Sequence, residues 1–531
     1  VGTKGAAPDD DSDLAAWDSD PVASALTVTG IVGRCNGNLA AARTMASRMR
    51  ALKGASPEPL HYEGTLGRWD RIALAIQEAT YLPYLMAVVH PDAAARASAK
   101  LCEPKAQALR AALLVDADLA SVLRGYAETK EPMSAEKQRL LGDALRDFRR
   151  NGQSLPRDKK EELLQRSDEI EKLGEELQTY LARAVGRVPL YPKQLDGLPD
   201  DYKAAHRPVA GGKVEITTST ADYFPFITQA HDRRAALELY VAYTNRGGNE
   251  NVQILERLLE KRSEKAKLLG YATWADFAIE PQMARTPSAA RSFLASVSAA
   301  IRAPARAELA ELMHVYLRNY PKPVGGLPPS DRYYLVERAR HEKWKLDDAT
   351  LASYFEVGRV LRGLLAVTEK MFGLRCQQVA APTWHSDVVV YEVSAGDKAI
   401  GRLYLDSYAR PDKFEHVAMF PVRASARLGS AERLLPMAAL VSDFSKSVDR
   451  PTFLSHEDVV TLFHELGHVL HHLLSRSELA SYSGTATVRD FVEVPAQVLE
   501  EAAWSREVLD LFAEHPTSHQ KIPDGLFAAM T

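Results

Sequence analysis

The sequence predicts a mainly helical protein of two lobes, with a small β-sheet near one helix that carries the decisive polar chemistry. Three observations predict it. Helical apolar spacing fills the first two-thirds of the chain, strand-rich stretches are few and clustered, and two stretches with several Pro and Gly interrupt the pattern.

The helical segments follow in order. Thr65–Val89 and Ser134–Arg150 carry apolar residues at helical spacing. In Lys159–Val185, Leu163, Ile170, Leu173, Leu177 and Leu181 recur between charged residues. Asp232–Thr244 is similar. Asn251–Leu269 places Ile254, Leu255, Leu258, Leu259, Ala266 and Leu269 on one stripe, and Gly270 stands where a C-terminal cap glycine belongs. Ser288–Leu317 is the last of this series. Strand signals lie in Asp387–Val393 and Ile400–Leu405, which flank the turn-like tetrad Ser394-Ala395-Gly396-Asp397. Helix is expected to return before the motif. Gly186–Pro199 and Pro321–Pro329 are the candidate linkers. The expected organisation is a disordered or processed tail over 1–16, a helical lobe over 17–220, and a second lobe over 221–531.

Composition narrows the function classes. With 46% hydrophobic and 26% charged residues the chain can build an ample core. A net charge of −4, from 66 basic and 70 acidic residues, gives no basis for a nucleic-acid or anionic-membrane partner. No apolar run approaches the ~18 residues of a membrane span. The N-terminus opens Val1-Gly2-Thr3-Lys4 without an initiator Met or a signal-like apolar stretch, so a removed leader and a trimmed chain are both open. Three cysteines, Cys35, Cys102 and Cys376, form no CxxC pair and exclude a cysteine zinc site. Buried free thiols in a reduced compartment are the leading reading. A Cys35–Cys102 disulfide would accompany export.

The polar chemistry sits in Ser455–Ser475, SHEDVVTLFHELGHVLHHLLS. Ser455 and Asp458 resemble a capping box with Asp in place of Glu. Val459, Val460, Leu462, Phe463, Leu466, Val469, Leu470, Leu473 and Leu474 make the helix largely buried, and His464, Glu465 and His468 on it need partners. The HExxH spacing supplies them. Residues four apart lie one above the other, about 6 Å along the axis, so two imidazoles converge on one Zn²⁺. Glu465 is placed to take a proton from the attacking water. His471 and His472 are expected to pack or to support the site.

A catalytic zinc site needs a third protein ligand. Metzincin spacing fails, because Leu474 stands where a further His would be needed. Thermolysin-like and aminopeptidase spacings fail at Thr487 and Val488. Glu478, Asp490, Glu493, Glu500 and Glu501 remain. Glu478 is expected at the exit of the helix, pointing away from the metal. Glu493 lies beyond a loop containing Ser483-Gly484, long enough for the chain to reverse. Glu500, seven residues on, would share its face and could orient a ligand histidine.

With FHELGHVLH (Phe463–His471), SGT (Ser483–Thr485) and DFVEVPAQ (Asp490–Gln497) in place, the sequence resembles the thimet oligopeptidase family, which includes neurolysin, oligopeptidase A and the dipeptidyl carboxypeptidases. Weaker matches are RSEKAKLLGYATWAD (Arg262–Asp276), Trp384-His385 and GRLYLDSYARPDKFEHVA (Gly401–Ala418). The resemblance covers about residues 220–520. It implies an elongated helical body with a deep central channel, one Zn²⁺ per chain held by His464, His468 and Glu493, and Glu465 as base. The implied activity is cleavage of short unfolded peptides at internal or near-C-terminal bonds. It further implies that the GRLYLDSY strand offers a free edge to substrate through Gly401, Leu403 and Leu405. An internal strand with its edge covered is the alternative. Family members continue through a glycine- and tyrosine-rich segment, whereas this chain has no tyrosine after Tyr482 and ends at Thr531, before the helix begun at Pro523-Asp524 could be completed. That implies one piece of a longer protein, with its own cleaved C-terminal fragment as a candidate partner. A zinc-containing peptide binder with little or no catalysis is the competing reading. The family setting is cytoplasmic, and a processed leader would make the protein periplasmic or exported.

Overall fold

The structure is a computed structural model that describes residues 20–54, 60–319, 326–344, 348–427, 433–446 and 451–531. The tail expected over 1–16 and part of the Pro321–Pro329 stretch lie outside these residues. Among the described residues the fold is mainly helical with a small sheet, as predicted.

Caps set the helix starts. Helix Ala135–Arg150 begins where Ser134 accepts the Lys137 N–H, and helix Arg233–Thr244 where Asp232 accepts from Arg234 and Ala235. Arg157–Arg183, Gly248–Leu268 and Pro287–Asn319 complete the predicted series, and Gly270 adopts φ +83° just past the second of these. Helix Leu66–Val89 is long and apolar enough to cross a membrane, which differs from the sequence expectation. Here its apolar faces are packed in the core, and it carries buried Asp70 and Glu78, the latter paired with Arg34.

The Gly186–Pro199 stretch is not an irregular linker. Arg187–Leu190 (β1) pairs antiparallel with Val214–Thr217 (β2). The main sheet contains Leu374–Gln378 (β3), Val389–Ala395 (β4), Lys398–Tyr408 (β5) and Ala418–Arg423 (β6). A side pair, Ala426–Arg427 (β7) with Arg433–Leu434 (β8), precedes the fifth strand, Met437–Phe444 (β9). The expected hairpin is β4–β5, with Gly396 at φ +59° in its turn. Where helix was expected to return, the chain instead forms β6 to β9.

The order is β3-β4-β5-β9-β6, antiparallel except for the β5–β9 pair. This corrects one expectation: β5 is interior, with both edges covered by β4 and β9. Leu403 and Leu405 are buried against Leu462, Phe463 and Leu466 of the helix His456–Leu473. Tyr404 points to the opposite face, where Leu82, Leu85 and Met86 pack. Gly401 is a packing glycine; a Cβ there would lie 2.9 Å from both Leu473 Cδ2 and the Pro436 carbonyl oxygen. None of the three offers a peptide an open edge. The open edge beside the site is β6.

The N-terminal helices Val28–Arg50, Leu66–Val89, Cys102–Leu114 and Ala117–Thr129 share a core with Ala424, Ala426, Leu479 and Ala480. Asp70 accepts the N–H groups of Ala480 and Ser481 at 2.9 Å each and the Ser481 hydroxyl at 2.6 Å. Tyr482 donates to Asp143 at 2.7 Å. Cys35 and Cys102 are buried free thiols in this structure. After Pro523 the chain is helical over Asp524–Met530.

Candidate active site

The motif helix, His456–Leu473, starts as its sequence dictates. The Ser455 side chain accepts the Asp458 N–H, and the Asp458 carboxylate reaches back to the Ser455 N–H. Its apolar face is locked into the sheet, which fixes where His464, Glu465 and His468 project. The two imidazole centroids are 4.9 Å apart with planes at 82°, and one donor atom from each of the three residues lies within 4.8 Å of the others.

Glu493 arrives from a different element. It caps the helix Val494–Glu500, which lies across the motif helix at Gly467. Its Oε2 sits 3.2 Å from His464 Nε2 and 3.2 Å from His468 Nε2. Glu500 Oε1 accepts from His464 Nδ1 at 2.6 Å. That fixes the tautomer with the Nε2 lone pair facing Glu493. His468 Nδ1 is buried and finds no such partner among the described residues. Two imidazole nitrogens and one carboxylate oxygen converging from two helices form a donor set suited to zinc, with Glu465 left outside it.

Glu465 is held by the sheet. Its Oε2 accepts the Met419 N–H of β6 at 2.6 Å. Burial raises its carboxyl above the usual range, opposed by the Met419 N–H and by the two histidines. His472 is fully buried and donates from Nε2 to the Arg423 carbonyl at 2.8 Å; burial pushes its pKa down to about 4. His471 packs near the Phe491 ring. Two of the other acidic candidates are occupied elsewhere. Glu478 pairs with Arg427, and Asp490 accepts the N–H groups of Met283 and Ala284.

A family model for peptidase family M3 matches residues 226–531, more than half of the chain. The chain belongs to peptidase family M3. A mitochondrial intermediate peptidase of Sclerotinia sclerotiorum is 27% identical over 89% of this chain and 66% of its own length. Oligopeptidase A of Escherichia coli is 28% identical over 75% of this chain and 61% of its own. A thimet-like oligopeptidase of Dictyostelium discoideum is 27% identical over 75% and 62%. The chain thus spans less than two-thirds of the length of these M3 relatives.

Sequence reasoning named all five polar groups around the M3 motif helix and missed what supports them. Met419 gave no signal, because β6 carries a proline and was not recognised as a strand. Gly467 did give one, since a glycine inside a buried helix points to a close backbone approach. The weaker resemblance segments around Trp384 and Asp406 build a buried network. Asp406 accepts from Trp384 Nε1 at 2.7 Å and from Arg410, while Lys413 Nζ lies 2.9 Å away. This network braces β5 and makes no contact with the motif histidines. Replacing Glu500 with alanine is expected to weaken Zn²⁺ affinity about 10–100-fold, as measured by chelator competition, because His464 loses its orienting acceptor. Unchanged affinity would show that the ring is held by packing alone.

Proposed function

We propose that this M3 chain is a zinc-dependent oligopeptidase that hydrolyses internal or near-C-terminal bonds of short unfolded peptides. His464, His468 and Glu493 are the metal ligands and Glu465 is the general base. The observation that carries the reading is the convergence of both Nε2 atoms on Glu493 Oε2 beside an uncommitted Glu465 oxygen. The named relatives, an oligopeptidase A and a thimet-like oligopeptidase, support the substrate class.

Zinc held there would supply a Lewis acid that polarises the scissile carbonyl and acidifies a water. The chain's own groups do the rest. Glu465 Oε1 takes the proton from water as it attacks, then hands it to the leaving amine, while the Met419 N–H keeps the carboxylate aimed. Glu500 keeps His464 in one tautomer. β6 is the strand along which an extended peptide would pass over Glu465, so the seat assigned from sequence to Gly401, Leu403 and Leu405 moves to Met419–Pro421.

Chelation tests the reading. Removing metal should abolish cleavage of a quenched fluorogenic oligopeptide, and about one equivalent of Zn²⁺ should restore it. Full-rate cleavage by metal-free protein would overturn it.

A further inference from the structure

We propose that the outer edge of β6 receives peptide as a row of hydrogen-bond acceptors without donors, and that Pro421 determines this. The inference rests on the peptidase reading above and adds to it how the site selects among peptide backbones.

In an antiparallel ladder, main-chain groups of alternate residues face the partner strand and the open side. β6 pairs only with β9 among the described residues, in the register Met419↔Leu440, Phe420↔Ala439 and Pro421↔Ala438. The Met419 N–H is spent on Glu465, so Met419 faces away from β9, and Pro421, two residues on, does the same. Proline lacks an N–H and is tolerated in a strand where that position faces outward, so its presence agrees independently with the parity.

The outward groups can therefore be counted. The carbonyls of Met419 and Pro421 are acceptors. One donor is committed to Glu465 and the other does not exist. Past Pro421 the register shifts, and the next groups are taken internally: the Arg423 carbonyl by His472 and the Ser425 N–H by Ser483 Oγ at 2.7 Å. The acceptor row is two residues long. At its Pro421 end lies a cavity of about 1120 Å³, lined by Pro421 with Tyr81, Tyr84, Arg139 and Tyr482 but not by Met419 or the motif residues. That volume is slightly above the roughly 300–1,000 Å³ of ordinary ligand sites, large enough for an extended peptide segment.

Ordinary strand addition exchanges donors and acceptors in both directions. Here the peptide must present N–H groups at two residues spaced two apart, and its carbonyls at those residues receive nothing from the strand. Proline or an N-methyl residue at either position removes a required donor.

The test is an N-methyl scan of one labelled oligopeptide, with Kd read by fluorescence anisotropy on the full zinc-loaded chain carrying Glu465→Gln to prevent turnover. N-methylation should raise Kd about fivefold or more at two residues spaced two apart, because each loss leaves an acceptor unpaired. Adding the missing donor by Pro421→Ala should lower Kd for the unmodified peptide about fivefold, with both sensitive positions retained. Binding without the paired pattern, or an unchanged Kd in a folded Pro421→Ala protein, overturns the acceptor row. A peptide that binds with the pattern yet is left intact by the wild-type chain overturns the peptidase reading and upholds the row. Absence of binding overturns both.

Discussion

Replacing Glu465 with glutamine is expected to lower kcat/KM for a fluorogenic oligopeptide by about 10²–10⁴ while Zn²⁺ content stays unchanged. The substitution is nearly isosteric, and the amide oxygen can still accept the Met419 N–H that the carboxylate accepts at 2.6 Å. What disappears is basicity at the second oxygen, the group proposed to take a proton from water. His464, His468 and Glu493 keep their mutual distances, since Glu465 supplies none of the contacts between them. Elemental analysis alongside the kinetics separates the two effects. Activity within tenfold of wild type at full metal occupancy would assign the base elsewhere.

Replacing Gly467 with alanine is expected to damage the site from a distance. A Cβ at this position would lie 2.5 Å from Ala496 Cα, 2.8 Å from the Pro495 carbonyl oxygen and 3.0 Å from Ala496 N. All three are backbone atoms, so no rotamer change relieves the clash. The helix Val494–Glu500 must back away by roughly 1 Å to restore normal contact distances. It carries Glu493 at its start and Glu500 at its end, so both carboxylates move with it. Overpacking of this kind costs about 1–3 kcal/mol of stability. A misplacement of about 1 Å near the chemistry is expected to cost about 10²-fold in kcat/KM. Gly174 provides the control, because nothing lies within 4 Å of the Cβ that alanine would add there. Gly174→Ala should stabilise slightly, by about 0.5–1 kcal/mol. Equal melting temperatures and activities for the two variants would refute the close-contact role of Gly467.

Local signals explain which features the sequence made legible. Ser134, Asp232 and Ser455 cap their helices through groups two or three residues away, so their neighbours suffice to identify the starts. The HExxH face is equally local, being a consequence of helical pitch. Non-local pairing was not legible. β9, Met437–Phe444, is buried along most of its length and shows no alternation, and β6 is masked by Pro421. Strand order depends on which segments meet, so β5 could not be placed in the interior from its own residues. The same applies to β1, a short strand only because Val214–Thr217 pairs with it. Glu493 was singled out by resemblance, and its approach to the histidines depends on a glycine contact on another helix.

The anchoring of Ala480–Tyr482 bears on how far this chain can be divided. The family match begins at residue 226, yet the segment leaving the motif helix is held by Asp70 and Asp143, long before that point. Cut away from the N-terminal helices, it would lose acceptors for two main-chain N–H groups and expose Leu479 and Ala480, which belong to the N-terminal core. The peptidase region is therefore not a portable module. Residues ahead of the family-model match provide part of the floor on which its motif rests.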